Sequence, residues 1–138
     1  MNLRLIVAGE IRFTAKLEME RAPKTCAAFI AALPFESRLV QARWSGEAAW
    51  IPLGERQFGV PFENHTSHPA PGEILLYPGG FSETEILFPY GRTLFASQLG
   101  QLAGNHFLTI IKGHDELAEV GRRVLWEGAQ DIVFKEDR

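Results

Sequence analysis

The chain has 138 residues, 46% hydrophobic and 22% charged, with a single cysteine; this fits one globular domain over residues 1–138 and excludes an internal disulfide or a multi-cysteine zinc site. The net charge of −3 at pH 7 and the scattered arginines exclude the basic stripe that follows a nucleic-acid backbone. No stretch approaches about 18 apolar residues, so we expect no membrane span and a cytoplasmic protein.

The first elements in chain order are a predicted β-hairpin and a helix. Residues 11–20 alternate apolar and polar side chains, which is typical of a half-buried strand, and residues 3–7, before Gly9, are predicted as its hairpin partner. The spacing then changes, and four apolar residues share one helical face: Cys26, Phe29, Ile30 and Leu33. Pro23 suits the first turn of this helix, and Pro34 ends it.

Short strands dominate the rest of the chain. Seven strand-like runs follow: residues 38–44, 47–53, 73–77, 84–88, 94–98, 107–111 and 132–134. A second helix is predicted over residues 115–126, with Gly128 at its C-terminal cap. About nine short strands and two helices predict a mainly β fold, a closed antiparallel β-barrel capped by two α-helices. The longest irregular segment, residues 54–72, is a candidate functional loop.

Three short motifs, in this order, resemble the cyclophilin family. Residues 22–25 (Ala-Pro-Lys-Thr) are similar to the segment that opens its first helix. Residues 72–76 (Gly-Glu-Ile-Leu-Leu) resemble its Gly-Ile-Leu strand, and residues 102–107 (Leu-Ala-Gly-Asn-His-Phe) its Leu-x-Gly-x-His-Val strand. More closely, the chain looks like a bacterial family of small cyclophilin-like proteins with no established activity. The resemblance implies a cyclophilin-like barrel.

Cyclophilins are peptidyl-prolyl isomerases, and the resemblance implies a position for their arginine. That arginine donates a hydrogen bond to the prolyl amide nitrogen, which weakens the double-bond character of the C–N bond. Arg43 matches it on the predicted third strand. Because Val40, Ala42 and Trp44 alternate with Arg43 and are expected to fill the barrel, Arg43 is expected on the outer face, where the family has its site.

Other positions of the family's pocket can be matched, with departures. The resemblance places Leu102 and His106 at the pocket leucine and histidine, Leu87 at the pocket phenylalanine and Glu85 at a glutamine. The Pro-Gly-Phe turn and the Gln-Gly-Gly-Asp motif that follow the family's arginine are missing, and Gln101 replaces a tryptophan. The altered pocket is more polar, which favours a small ligand over a proline peptide.

We therefore expect an outer-face pocket that binds a small polar or anionic molecule. An arginine can bind carboxylate or amide oxygens through two hydrogen bonds. An amide or ring-opening reaction is the enzymatic form of this hypothesis, with the arginine polarising a carbonyl, a glutamate as base and the histidine as proton shuttle. The candidate catalytic residues are Arg43, Glu47, Glu85 and His106, and the candidate substrate-binding residues are Trp50, Tyr77, Leu87 and Leu102.

Several alternatives remain open at this point. The arginine and glutamates can form a plain surface ion pair, and the tryptophans can be packing residues. Glu63, His65 and His68 share one loop, but no motif fixes a ligand geometry, so we expect no metal site. No phosphate- or dinucleotide-binding motif is present, so we expect no cofactor. The two alternative functions are an isomerase with an altered pocket and a structural protein that forms a homo-oligomer.

Overall fold

The computed structural model describes all residues, 1–138. The strands are β1 (Asn2–Val7), β2 (Ile11–Leu17), β3 (Phe35–Gln41), β4 (Gly46–Gly54), β5 (His65–Thr66), β6 (Glu73–Tyr77), β7 (Thr84–Thr93), β8 (Ala96–Ser97), β9 (Gly100–Gln101), β10 (Gly104–Lys112) and β11 (Gln130–Glu136). The helices are α1 (Pro23–Ala31) and α2 (Leu117–Trp126), the latter preceded by a 3-10 turn, His114–Glu116.

Eight strands form a closed antiparallel barrel, as the sequence predicted. The order around the barrel is β2-β1-β11-β3-β4-β7-β6-β10, and β10 closes it by pairing with β2. β5 adds two residues at the other end of β10, and β8 and β9 form a separate small hairpin. No helix of the structure combines the length and the apolar character needed to cross a membrane.

The barrel interior is an aromatic core that α1 helps to close. Twenty-six buried hydrophobic residues form this cluster. The ring of Phe29, from α1, lies 5.1–5.3 Å from the rings of Phe35, Phe107 and Phe134, at separations typical of favourable aromatic pairs. The helical face that the sequence predicted around Phe29 is thus the face that enters the core, and α1 cannot leave without exposing it.

The third strand differs from its prediction. It spans Phe35–Gln41 rather than residues 38–44, so Arg43 lies in the turn that follows the strand. The predicted alternation was also shifted by one residue: Leu39 is fully buried in the barrel core, and Val40 faces outward. Trp44 is 52% exposed instead of filling the barrel. A one-residue shift moves every side chain of a strand to the opposite face, which accounts for both differences.

Two further segments differ in extent. Within residues 94–98 only Ala96–Ser97 is strand, and it pairs with β9 rather than with the barrel. The predicted irregular loop, residues 54–72, contains β5, which pairs with the start of β10. The second helix begins at Leu117, and Gly128 follows its end with a φ of 97°, which confirms the predicted cap.

Candidate functional site

A layer of apolar side chains covers the outer face of three neighbouring strands, β4, β7 and β6. Trp50 on β4 pairs in register with Leu87 on β7, which in turn pairs with Leu75 on β6. The chain segment 94–102 crosses over this face and adds its own side chains. The resulting outer cluster consists of seven buried residues, Ala42, Ala48, Leu75, Tyr77, Leu87, Phe95 and Leu102, with Trp50 packed against them.

A cavity of about 310 Å³ lies beside this outer cluster. Its walls come from the end of β3 and the β3–β4 turn, from β4, from the turn that leads into β7, and from the β8 hairpin. The volume is within the range of small-molecule sites. Arg43, Trp50 and Glu85, three of the sequence-predicted site residues, line this one cavity, together with Trp44, Ser82 and Gln98.

Arg43 brings an unpaired positive charge to the cavity. Its side chain is exposed and takes part in none of the ion pairs of the structure. The centre of its guanidinium group lies 5.7 Å from the ring centre of Trp44, a cation–π distance. The five N–H donors of the guanidinium are therefore available to an anionic or carbonyl group in the cavity.

Glu85 brings a buried carboxyl group to the opposite side of the same space. It lies on β7, pairs in register with Tyr77 and Pro52, and is only 5% exposed. Burial, together with the smaller effect of the nearby negative charge of Glu83, raises the pKa of Glu85 to about 8. The carboxyl group is therefore largely protonated near neutral pH, so it can donate a hydrogen bond.

Other polar groups at the cavity serve to fix its walls. The Gln41 side chain accepts a hydrogen bond from the Tyr90 hydroxyl at 2.7 Å and donates to the carbonyls of Ala42 and Gly46. The Ser45 hydroxyl donates to the Ala96 carbonyl at 3.0 Å and accepts from its N–H at 3.1 Å. These bonds tie the β3–β4 turn to β7 and to β8. The position of the turn that carries the cavity's arginine is therefore set by both neighbours.

The remaining predicted site residues of this region lie outside the cavity lining. The Glu47 carboxylate accepts a hydrogen bond from the backbone N–H of Arg92 at 2.8 Å. Leu87 and Leu102 are 0% and 4% exposed within the outer cluster. The Tyr77 hydroxyl accepts hydrogen bonds from two backbone amides of the turn that leads into β7, those of residues 81 and 82. Tyr77 therefore holds the turn that forms one wall of the cavity, without lining the cavity itself.

His106 belongs to a different hydrogen-bond chain. Its Nε2 lies 2.7 Å from the hydroxyl oxygen of Thr109, and that hydroxyl donates to Glu18 at 2.7 Å. Its Nδ1 lies 4.0 Å from a carboxylate oxygen of Glu73. None of these four residues lines the cavity. The structure therefore does not bring His106 together with Arg43.

The long loop is held against α1 by a buried polar network. The Glu63 carboxylate accepts hydrogen bonds from the N–H and the hydroxyl of Thr25, each at 2.7 Å. The Asn105 side chain donates to the Thr25 hydroxyl and to the Pro61 carbonyl. Because Glu63 points to Thr25, it does not converge with the loop histidines, and no group of three or more potential ligands is arranged to hold a metal ion.

The structure is a closed antiparallel β-barrel with a cavity on its outer face, lined by charged and aromatic side chains. The chain belongs to the DUF3830 family, whose model, described as "Protein of unknown function (DUF3830)", matches residues 5–136. None of the curated proteins matches the sequence.

Two solved structures are similar to this chain. McbB, solved in complex with tryptophan, has a TM-score of 0.74 and 17% sequence identity over 98% of this chain and 44% of McbB. This chain thus spans less than half the length of McbB. The hypothetical protein AF2241 from Archaeoglobus fulgidus has a TM-score of 0.58 and 20% identity over 99% of this chain and 95% of its own. These likenesses show the barrel fold, and the cyclophilin resemblance remains a prediction.

Proposed function

We propose that this protein binds a small polar or anionic molecule in the outer-face cavity, with Arg43 as the anchor for its anionic or carbonyl group. The observation that carries the proposal is the meeting of an unpaired guanidinium and a buried, unpartnered carboxyl group in one cavity of about 310 Å³. An arginine that already had a carboxylate partner would have no such capacity. The similarity of the fold to McbB, a protein solved with bound tryptophan, supports a ligand of this size.

The cavity walls favour a ligand with a flat or apolar portion. Trp44 and Trp50 both line the space, and aromatic faces stack well on planar groups. Arg43 then fixes the orientation, since a guanidinium binds a carboxylate through two parallel hydrogen bonds. Among the predicted catalytic carboxylates only Glu85 faces the cavity, so in an amide or ring-opening reaction it is the group that would move the proton.

A thermal-shift screen with small acids, amides, ureides and tryptophan tests the proposal. A ligand at 100 times its dissociation constant stabilises the folded state by about 2.7 kcal/mol, which raises the melting temperature by several degrees. We expect Arg43→Ala to abolish the shift and Arg21→Ala, a change of an exposed arginine outside the cavity, to preserve it. Equal shifts in wild type and Arg43→Ala, or no shift with any compound, would contradict the proposal.

The isomerase alternative has weaker support in the geometry. The apolar residues that the cyclophilin resemblance assigns to a proline pocket, Leu87 and Leu102, are buried in the outer cluster together with Phe95. A proline ring would have to displace this packing. A coupled prolyl-peptide assay decides the matter, since the alternative requires a rate above the uncatalysed reaction that falls in Arg43→Ala.

The assembly alternative concerns the quaternary structure. The barrel is closed, so the long edges that favour strand-to-strand association are absent among its eight strands. Static light scattering over a range of concentrations tests this alternative, which requires a mass above 15.4 kDa.

We place the protein in the cytoplasm, where its one thiol, the buried Cys26, stays reduced.

A further inference from the structure

The cavity presents opposite charges on different walls. Arg43 comes from the β3–β4 turn, whereas Glu83 and Glu85 come from the start of β7 and the turn before it. No ion pair joins the arginine to either glutamate. The arginine and the glutamates thus line one cavity without pairing with each other, and their walls are held separately.

The cause is the bonding of each wall to its own neighbours. The β3–β4 turn is tied to β8 through Ser45 and to β7 through Gln41. The turn before β7 is tied to β6, because the Tyr77 hydroxyl accepts hydrogen bonds from the amides of Phe81 and Ser82 at 3.0 and 3.2 Å. The positive and negative walls are thus fixed apart, and a group placed between them meets both.

We propose that the ligand is a zwitterion, an amino acid with an apolar or aromatic side chain whose carboxylate binds Arg43 and whose ammonium group binds Glu85. This inference rests on the proposed function and specifies its ligand. Two carboxyl groups line the cavity, and Glu85 is the buried one, whereas Glu83 is exposed. Glu85 accepts no hydrogen bond within the chain, so an ammonium group gives it a partner. Trp50, between the two walls, offers the aromatic face for the side chain.

The inference implies that binding releases a proton. An ammonium group binds the carboxylate form of Glu85, whereas burial keeps this residue protonated up to about pH 8. The other titratable groups that line the space are Glu83 on the same wall and Arg43 on the facing wall. Of its neighbours in the sheet, Pro52 does not titrate, and the Tyr77 hydroxyl is bound to backbone amides. Affinity for an amino acid should therefore rise about tenfold per pH unit between pH 6 and 7.5.

Isothermal titration with three matched probes tests the inference: phenylalanine, 3-phenylpropionate, which lacks the ammonium group, and phenethylamine, which lacks the carboxylate. We expect phenylalanine to bind at least tenfold more tightly than either single-charge analogue at pH 7.5. Titrations in buffers of different ionisation enthalpy should show proton release with phenylalanine and with phenethylamine, and none with 3-phenylpropionate. With 3-phenylpropionate the affinity should stay level or fall as the pH rises, since the ionised Glu85 repels an anion.

The variant Glu85→Gln tests the zwitterion separately from the proposed binding site at Arg43. It should weaken phenylalanine binding at least tenfold at pH 7.5 and remove the proton release, while 3-phenylpropionate binds as well as before or better. Glu55→Gln, a change of an exposed glutamate outside the cavity, is the matched control and should alter nothing. Binding of 3-phenylpropionate as tight as that of phenylalanine, abolished by Arg43→Ala, would overturn the zwitterion and leave the proposed function standing. The absence of any Arg43-dependent ligand would overturn both.

Discussion

Replacing Glu85 with glutamine should stabilise the protein, and the gain should grow with pH. The side chain is 5% exposed, accepts no hydrogen bond within the chain and lies near the charge of Glu83. Its ionisation in the folded state therefore costs free energy that is not recovered from any partner. Glutamine has nearly the same shape and never ionises, so the substitution removes this cost and leaves the surrounding packing unchanged.

The magnitude follows from the pKa of Glu85, which rises from 4.5 to about 8 in the folded protein. Between these two pH values the folded state holds a proton that the unfolded state has released, so the free energy of unfolding falls as the pH rises. At about 1.4 kcal/mol per pH unit, the loss amounts to roughly 5 kcal/mol once the pH exceeds 8. That is a large fraction of the stability of an ordinary domain, which is about 5–15 kcal/mol.

Urea unfolding at pH 5, 7 and 9, followed by circular dichroism, measures the effect. Wild type and Glu85→Gln should have similar free energies of unfolding near pH 4.5. They should then separate by about 1.4 kcal/mol for each pH unit up to pH 8, with the variant the more stable. Glu55→Gln should follow wild type throughout, because this glutamate is exposed. Parallel curves for wild type and Glu85→Gln would refute the assignment of a buried, unpartnered carboxyl group.

Three further predictions concern stability at residues other than the cavity's charged groups, Arg43 and Glu85. Glu63→Gln should cost about 1–3 kcal/mol of unfolding free energy and speed limited proteolysis of the long loop, because the carboxylate holds two hydrogen bonds from Thr25; an unchanged cleavage rate would contradict the anchoring role. Phe95→Ala should cost about 3–5 kcal/mol in urea unfolding, since this ring is fully buried in the outer cluster; a loss below 1 kcal/mol would show that the segment is not packed there. Gly121→Ala should lower the melting temperature although alanine favours helices, because an added Cβ would lie 2.2 Å from the Tyr90 ring; the loss should disappear in a Tyr90→Ala background.

The elements that the sequence predicted correctly are those that form for reasons within their own segment. Strict alternation along β2 predicted the first hairpin, and the helical spacing around Phe29 between two prolines predicted α1. The prediction of the third strand was wrong because the register of this strand depends on partners far away in the chain. Leu39 and Val40 are both apolar, so the sequence alone does not say which of them enters the core. The pairing of β3 with β11 and with only two residues of β4 decides the question.

The sequence predicted only part of the candidate site, because here too the direction of a side chain depends on strand register. The resemblance to cyclophilins pointed to Arg43 and Glu85 from separate regions of the chain, and both line the cavity. It also pointed to His106, whose ring instead bonds to Thr109, three residues further along β10. That contact depends on the irregular register of β10 between His106 and Leu108, where the pairing with β6 shifts. Such a bulge changes the direction of a side chain without leaving a clear mark in the sequence.

The crossing segment explains why the open space lies beside the charged residues. Phe95 and Leu102 fill the apolar half of the outer face, where the sequence predicted a pocket wall. The space left open is the half lined by Arg43 and Glu85. A ligand can therefore make apolar contact with the tryptophans, while its charged groups supply the specificity. On this view Phe95→Ala, although destabilising, should admit larger apolar ligands while the requirement for Arg43 persists. Binding of such ligands that no longer depends on Arg43 would show that the two halves of the outer face act as separate sites.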